Sequence, residues 1–215
     1  MKKLMAGLLA AVCLSPISPV HAQQGDAQAG SQKNALCVGC HGIKGYHTGF
    51  PEVYRVPMLS GQSAGYIVSA LNDYKTGARK HPSMGTTALS LSAQDAADLG
   101  AYYESTGLTA ETAAKPIDAS AGAALVEKGG CVACHGAGLT KPIAPIYPKI
   151  AGQHSDYVYA ALRAYKTENK PQIGRNNPIM GGVVKQFSDK ELKEIARYVE
   201  SLPTTMQTIQ PNRFR

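Results

Sequence analysis

The sequence predicts an all-α fold built from two similar small domains in tandem. Three observations predict it. Apolar residues recur at helical spacing in several stretches, and no run alternates as a half-buried strand would. Those stretches come in pairs, because much of the chain occurs twice. Each copy also carries the pattern Cys-x-x-Cys-His, as Cys37-Val38-Gly39-Cys40-His41 and as Cys131-Val132-Ala133-Cys134-His135.

In chain order, residues 1–22 read as a secretory signal peptide. Lys2 and Lys3 form its charged start, Leu4 to Leu14 its apolar core, and Val20-His21-Ala22 a small-residue cleavage site. The apolar run is short and soon meets Pro16 and Pro19, which argues against a membrane span. Cys13 lies inside it, and Ala10-Ala11-Val12 make a poor lipoprotein box. The exported chain then keeps four cysteines, all in the two Cys-x-x-Cys-His motifs. That usage, with an export signal, points to the bacterial periplasm or another compartment outside the cytoplasm. Removing Lys2 and Lys3 leaves 20 basic against 15 acidic side chains, a formal +5. So mild a charge argues against nucleic acid as a partner.

A first domain is expected over 23–107. Asp26 is a candidate N-cap for a helix running into the first Cys-x-x-Cys-His. Two thiols one helical turn apart can each form a thioether to one vinyl group of the same porphyrin. The histidine that follows is then held beneath the iron as an axial ligand. A lone Cys-x-x-Cys suits a redox dithiol or half a zinc site equally well. Here histidine follows both pairs, and the pairs lie too far apart for a zinc ribbon. Each copy is therefore expected to bind one c-type haem through Cys37, Cys40 and His41, or through Cys131, Cys134 and His135. Further along, Tyr66, Ile67, Ala70, Leu71 and Tyr74 mark one helix. Ser92-x-x-Asp95 is a capping box opening another, with Ala96, Leu99, Tyr102 and Tyr103 as its apolar stripe.

A run from Gly107 to Lys115, rich in Ala and Thr and followed by Pro116, reads as a linker over 108–117. The second domain, 118–204, then repeats the first. Asp118-Ala119-Ser120-Ala121-Gly122 answers Asp26-Ala27-Gln28-Ala29-Gly30. Tyr147-Pro148-Lys149-Ile150-Ala151-Gly152-Gln153 answers Val56-Pro57-Met58-Leu59-Ser60-Gly61-Gln62. Tyr157 and Tyr165 answer Tyr66 and Tyr74, and Ser188-x-x-Glu191 answers the capping box. Leu192, Ile195, Ala196 and Val199 form the matching stripe. Units this small bury little apolar surface alone, so a haem is expected to complete each core. The tail, 205–215, is expected to be loose, with Met206 exposed and Arg213-Phe214-Arg215 as a solvated basic end.

With these motifs in view, the chain resembles the di-haem class I cytochromes c of the cytochrome c4 type over nearly its whole exported length. The resemblance rests on the two Cys-x-x-Cys-His motifs, the paired Pro-x-(Leu/Ile)-x-Gly-Gln stretches, Tyr74-Lys75-Thr76-Gly77-Ala78-Arg79 and a methionine near the end of each half. It implies two tandem class I cytochrome c domains, each wrapped around one covalently bound haem.

Met84 lies eight residues before Ser92 and Met180 eight before Ser188, so both hold one repeat position, expected to be a loop before the last helix. The family places the axial methionine there. Met58 faces Lys149 in the repeat and so has no methionine partner; it is expected to pack near a haem edge. His47, His81 and His154 are read as surface or hydrogen-bonding residues. The resemblance further implies that the carbonyls of Pro57 and Pro148 accept from the axial histidine rings, and that Arg79 partners a haem propionate. Arg175 is the candidate counterpart, but an insertion in the second half leaves a solvated surface arginine as the alternative.

Paired histidine and methionine ligands close both irons, which favours an electron carrier over a catalyst needing an open position. The alternative is the cytochrome subunit of a periplasmic oxidoreductase acting on sulfur compounds or through a flavin. The resemblance implies redox partners: a quinol-oxidising complex or periplasmic dehydrogenase as donor, a membrane terminal oxidase as acceptor, and at most peripheral membrane contact.

Overall fold

The computed structural model describes residues 24–116, 120–167 and 170–209. The expected signal peptide, the Asp118 cap and the Arg213-Phe214-Arg215 end lie outside these residues. The first half runs α1 (Ala27–Lys33), α2 (Ala35–His41), β1 (His47–Thr48), β2 (Tyr54–Arg55), α3 (Ala64–Thr76), β3 (Arg79–Lys80), α4 (Pro82–Leu89) and α5 (Ala93–Ser105). The second half follows with α6 (Ser120–Lys128), α7 (Val132–His135), a 3-10 turn (Ala137–Leu139), α8 (Ser155–Lys166), β4 (Gly174–Arg175), α9 (Pro178–Lys185) and α10 (Asp189–Ser201). The strands are two-residue ladders, so the chain is all-α.

Local chemistry accounts for the helix ends. The Asp26 carboxylate accepts from the N–H groups of Gln28 and Ala29 and opens α1. Where one helix was expected there are two, because the chain breaks at Asn34. That side chain is buried and engaged elsewhere: its oxygen accepts from the Tyr103 hydroxyl, and its amide donates to Tyr102 Oη at 3.3 Å. Both capping boxes are formed, at Ser92 with Asp95 and at Ser188 with Glu191. Gly77 ends α3 in the left-handed conformation, φ 79°.

In each half the first helix crosses the last at very close range. A Cβ on Gly30 would fall 2.1 Å from the Asp98 carbonyl oxygen, and one on Gly122 2.3 Å from that of Glu194. Glycine is required here because helix backbones touch. Behind the crossings lie the apolar cores. Ile67, Leu99 and Tyr103 form that of the first half; Val126, Val184, Phe187, Leu192 and Val199 belong to that of the second.

The halves dock through three sets of contacts. Arg79 and Arg175 are paired in the antiparallel β3–β4 ladder. Arg55 holds Asp156 through its backbone N–H and Nε, and clasps Glu200 with both terminal nitrogens at 2.9 and 3.0 Å. Gln62 and Gln153 each reach into the opposite half. The segment after Pro203 is not loose up to Ile209. Leu108 N and Thr112 N donate to the carbonyls of Thr205 and Thr204, and Gln207 N to that of Ser60. Met206, expected to be exposed, is 2% accessible, because this strap carries it between the halves. Among the described residues no helix is long and apolar enough to cross a membrane.

Candidate haem centres

The cores open onto one cleft of about 670 Å³ shared by both halves, and the expected site residues meet there. In the first half α2 presents Cys37, Cys40 and His41, and α4 presents Met84. In the second, the turn at Cys131 and α7 present Cys131, Cys134 and His135, and α9 presents Met180. None of these four cysteines is joined to another in a disulfide. Burial pushes the thiols of Cys37 and Cys131 up.

The histidines are oriented identically. His41 Nδ1 lies 2.9 Å from Pro57 O, and His135 Nδ1 2.8 Å from Pro148 O. A carbonyl only accepts, so the proton sits on Nδ1 and Nε2 is left bare as a metal donor. Burial lowers the pKa of both rings, which keeps them neutral.

The methionines do not sit in loops. Both occupy the first turn of an eight-residue helix that begins with proline, Pro82 or Pro178. The His81 ring caps α4 by accepting from Met84 N at 3.5 Å. The Asn177 amide oxygen caps α9 by accepting from Met180 N at 3.0 Å. Proline followed by methionine two residues on was legible in the sequence, but eight residues span barely two turns, too few for a helical period to stand out. His81 is thus a hydrogen-bonding residue. His47 is half-exposed, 3.9 Å from Asp156.

Arg79 and Arg175 supply the test of fit. Both line the cleft, and among the described residues neither has a carboxylate within ion-pairing distance. Arg79 is 8% accessible and its Nε has no partner. Instead both guanidiniums donate to tyrosine: Arg79 to Tyr66 Oη at 3.2 Å and Tyr157 Oη at 2.6 Å, Arg175 to Tyr157 Oη at 3.1 Å and Tyr165 Oη at 3.5 Å. Burial alone would raise the Tyr157 pKa, but the two neighbouring guanidiniums override it and lower the phenol below its usual range. One buried and one partly buried guanidinium without carboxylate partners favour anionic partners in the cleft. An apolar cleft with thiol pairs, bare imidazole nitrogens and unneutralised guanidiniums suits haem, whose ring is apolar and whose propionates are anionic. The β3–β4 ladder sets Arg175 directly opposite Arg79.

Fold and site together define a di-haem class I cytochrome c. A family model described as "Cytochrome c" matches residues 119–203. Cytochrome c4 of Pseudomonas aeruginosa is 31% identical over 209 residues, covering 94% of this chain and 100% of that one. A thiosulfate dehydrogenase electron acceptor of Stutzerimonas stutzeri is 30% identical over 210 residues, covering 90% and 92%. The crystal structure of reduced recombinant cytochrome c4 from Pseudomonas stutzeri superposes with a TM-score of 0.67 at 30% identity, covering 83% of this chain and 99% of that one. The chain belongs to the cytochrome c4 family. It is an electron carrier with two covalently bound c-type haems.

Proposed function

We propose that this chain is a periplasmic carrier that passes single electrons through two His/Met-ligated haems towards a terminal oxidase. Cys37 and Cys40 attach the first haem, with His41 and Met84 as its axial ligands. Cys131 and Cys134 attach the second, with His135 and Met180. Arg79 and Arg175 take the propionates. The observation that carries this reading is that, in each half, a histidine held by a proline carbonyl and a methionine in the first turn of a capped helix line the same cleft. Haem supplies a reversible one-electron change at iron. The protein orients the imidazoles, excludes water and neutralises the carboxylates. A thioether favours ferrous over ferric iron, giving the high potential suited to a carrier.

The test is carbon monoxide binding to the reduced holoprotein. Slow uptake at both haems is expected, with low-spin iron in both oxidation states. Met84→Ala is expected to open the first haem, lower its potential and admit carbon monoxide, and Met180→Ala to do the same at the second. Fast uptake by the unsubstituted protein overturns the closed-ligand reading.

The similarity to a thiosulfate dehydrogenase electron acceptor favours a second reading, in which a periplasmic dehydrogenase is the donor and this chain its electron-accepting partner. Reduction by a purified thiosulfate dehydrogenase, compared with reduction by a quinol-oxidising complex, separates the two.

A further inference from the structure

Gln62 and Gln153 hold the same place in the two repeats, and each side chain crosses to the other half. Gln153 Oε1 accepts from Met58 N at 3.1 Å, and its Nε2 donates to Met58 O at 3.0 Å. Gln62 Oε1 accepts from Lys149 N at 2.9 Å, and its Nε2 donates to Lys149 O at 2.8 Å. Both side chains are 4% accessible. Each is locked from behind, since the same Oε1 also accepts from the following residue's N–H, at Ser63 or His154. A left-handed glycine aims each one: Gly61 (φ 87°) and Gly152 (φ 74°) close turns in which Gln62 N donates to Leu59 O and Gln153 N to Ile150 O.

The clamped peptides are the ones the histidines use. Met58 N–H belongs to the same amide as Pro57 C=O, which accepts from His41. Lys149 N–H belongs to the same amide as Pro148 C=O, which accepts from His135. Two continuous hydrogen-bond chains therefore cross the interface in opposite directions. One runs from His41 through the Pro57–Met58 peptide to Gln153, the other from His135 through the Pro148–Lys149 peptide to Gln62.

We propose that Gln62 and Gln153 are positioning residues that tune the axial histidine of the opposite half, so that each haem's reduction equilibrium is set partly by the other domain. An acceptor on the amide N–H polarises the peptide and makes its carbonyl oxygen more negative. That oxygen then draws the Nδ1 proton harder, Nε2 becomes a stronger donor, and ferric iron is favoured. The paired Pro-x-(Leu/Ile)-x-Gly-Gln stretch follows directly: proline supplies the carbonyl, glycine the turn, and glutamine the reach across the interface. This rests on the histidine ligation proposed above.

The test is the potential of each haem in Gln153→Met and Gln62→Met holoprotein, the haems being told apart by NMR. Methionine keeps the length and removes both hydrogen-bonding groups. Gln153→Met is expected to shift the first haem about threefold to tenfold towards the ferrous form, ~30–60 mV upward for one electron, and to move the His41 Nδ1 proton upfield. The second haem should change less. Gln62→Met is expected to mirror this. A shift confined to the haem of the substituted half, equal shifts at both, or none overturns the proposal. Arg55→Ala loosens the same interface without touching either glutamine contact, so the same one-haem shift there would reduce the glutamines to staples. If Gln153→Met fails to fold, Gln153→Glu serves. It keeps the oxygen facing Met58 N–H and adds charge, so the first haem should shift towards ferric, more than the second; a larger shift at the second overturns the proposal. Loss of the ferric methionine–iron charge-transfer band in the unsubstituted protein would break the ligation reading. An intact band with no opposite-haem shift breaks only this one.

Discussion

Asp98 is 2% accessible, yet it remains ionised because donors surround it. Asp26 N lies 2.9 Å from Oδ1, Lys33 Nζ ion-pairs with Oδ2, and Gln94 Nε2 lies 2.8 Å from Oδ1. Together they hold its carboxyl at about 2. A depressed carboxylate pKa gives stability that is present above the unfolded value of about 3.9 and is lost as pH falls towards the folded one. Asp98→Asn is therefore expected to destabilise the protein at neutral pH. The gap from the unsubstituted protein should narrow between pH ~4 and ~2, as read by denaturant unfolding at several pH values. A gap that stays constant down to pH 2 would mean the loss is packing rather than charge. Nothing in the sequence singles Asp98 out, because two of its three partners, Asp26 and Lys33, come from the start of the domain about 70 residues away.

At the scale of elements, the crossings of α1 with α5 and of α6 with α10 bring the two ends of each domain together. Gly30→Ala and Gly122→Ala each force helix backbones apart, since the added carbon meets a carbonyl oxygen rather than a flexible side chain. Each is expected to cost about 1–3 kcal/mol, as overpacking does, measured by denaturant unfolding. Alanine is the better helix former, so stabilisation instead would show that the helices separate freely. The capping boxes and apolar stripes of α5 and α10 were legible because helix starts and periodicity are local. The break at Asn34 was not, because its cause is a hydroxyl on Tyr103 from the far end of the domain.

The whole molecule is held shut by a strap. The linker runs beside the segment after Ser201, with Lys115 N donating to Ser201 O and Leu108 N to Thr205 O. Met206 is buried where Gln62 Nε2 lies 3.6 Å from its sulfur. Met206→Ala is expected to cost about 2–5 kcal/mol, as large-to-small changes at buried sites do. An exposed methionine would cost less than about 0.5 kcal/mol, so one unfolding titration separates the two. Deleting residues 204–215 should also render the linker open to proteolysis.

The sequence by itself determined the class of protein. The Cys-x-x-Cys-His motifs and the helix caps are short-range patterns, and the repeat that pairs the methionines is read by laying one half of the sequence over the other. Only the tertiary structure decided how the halves meet. It turned the tail into a strap and set Arg175 opposite Arg79 across an insertion that sequence spacing could not bridge. It also sent Gln62 and Gln153 into each other's domain. Those contacts join residues far apart in sequence, and a buried polar group takes whichever partner the fold brings within reach.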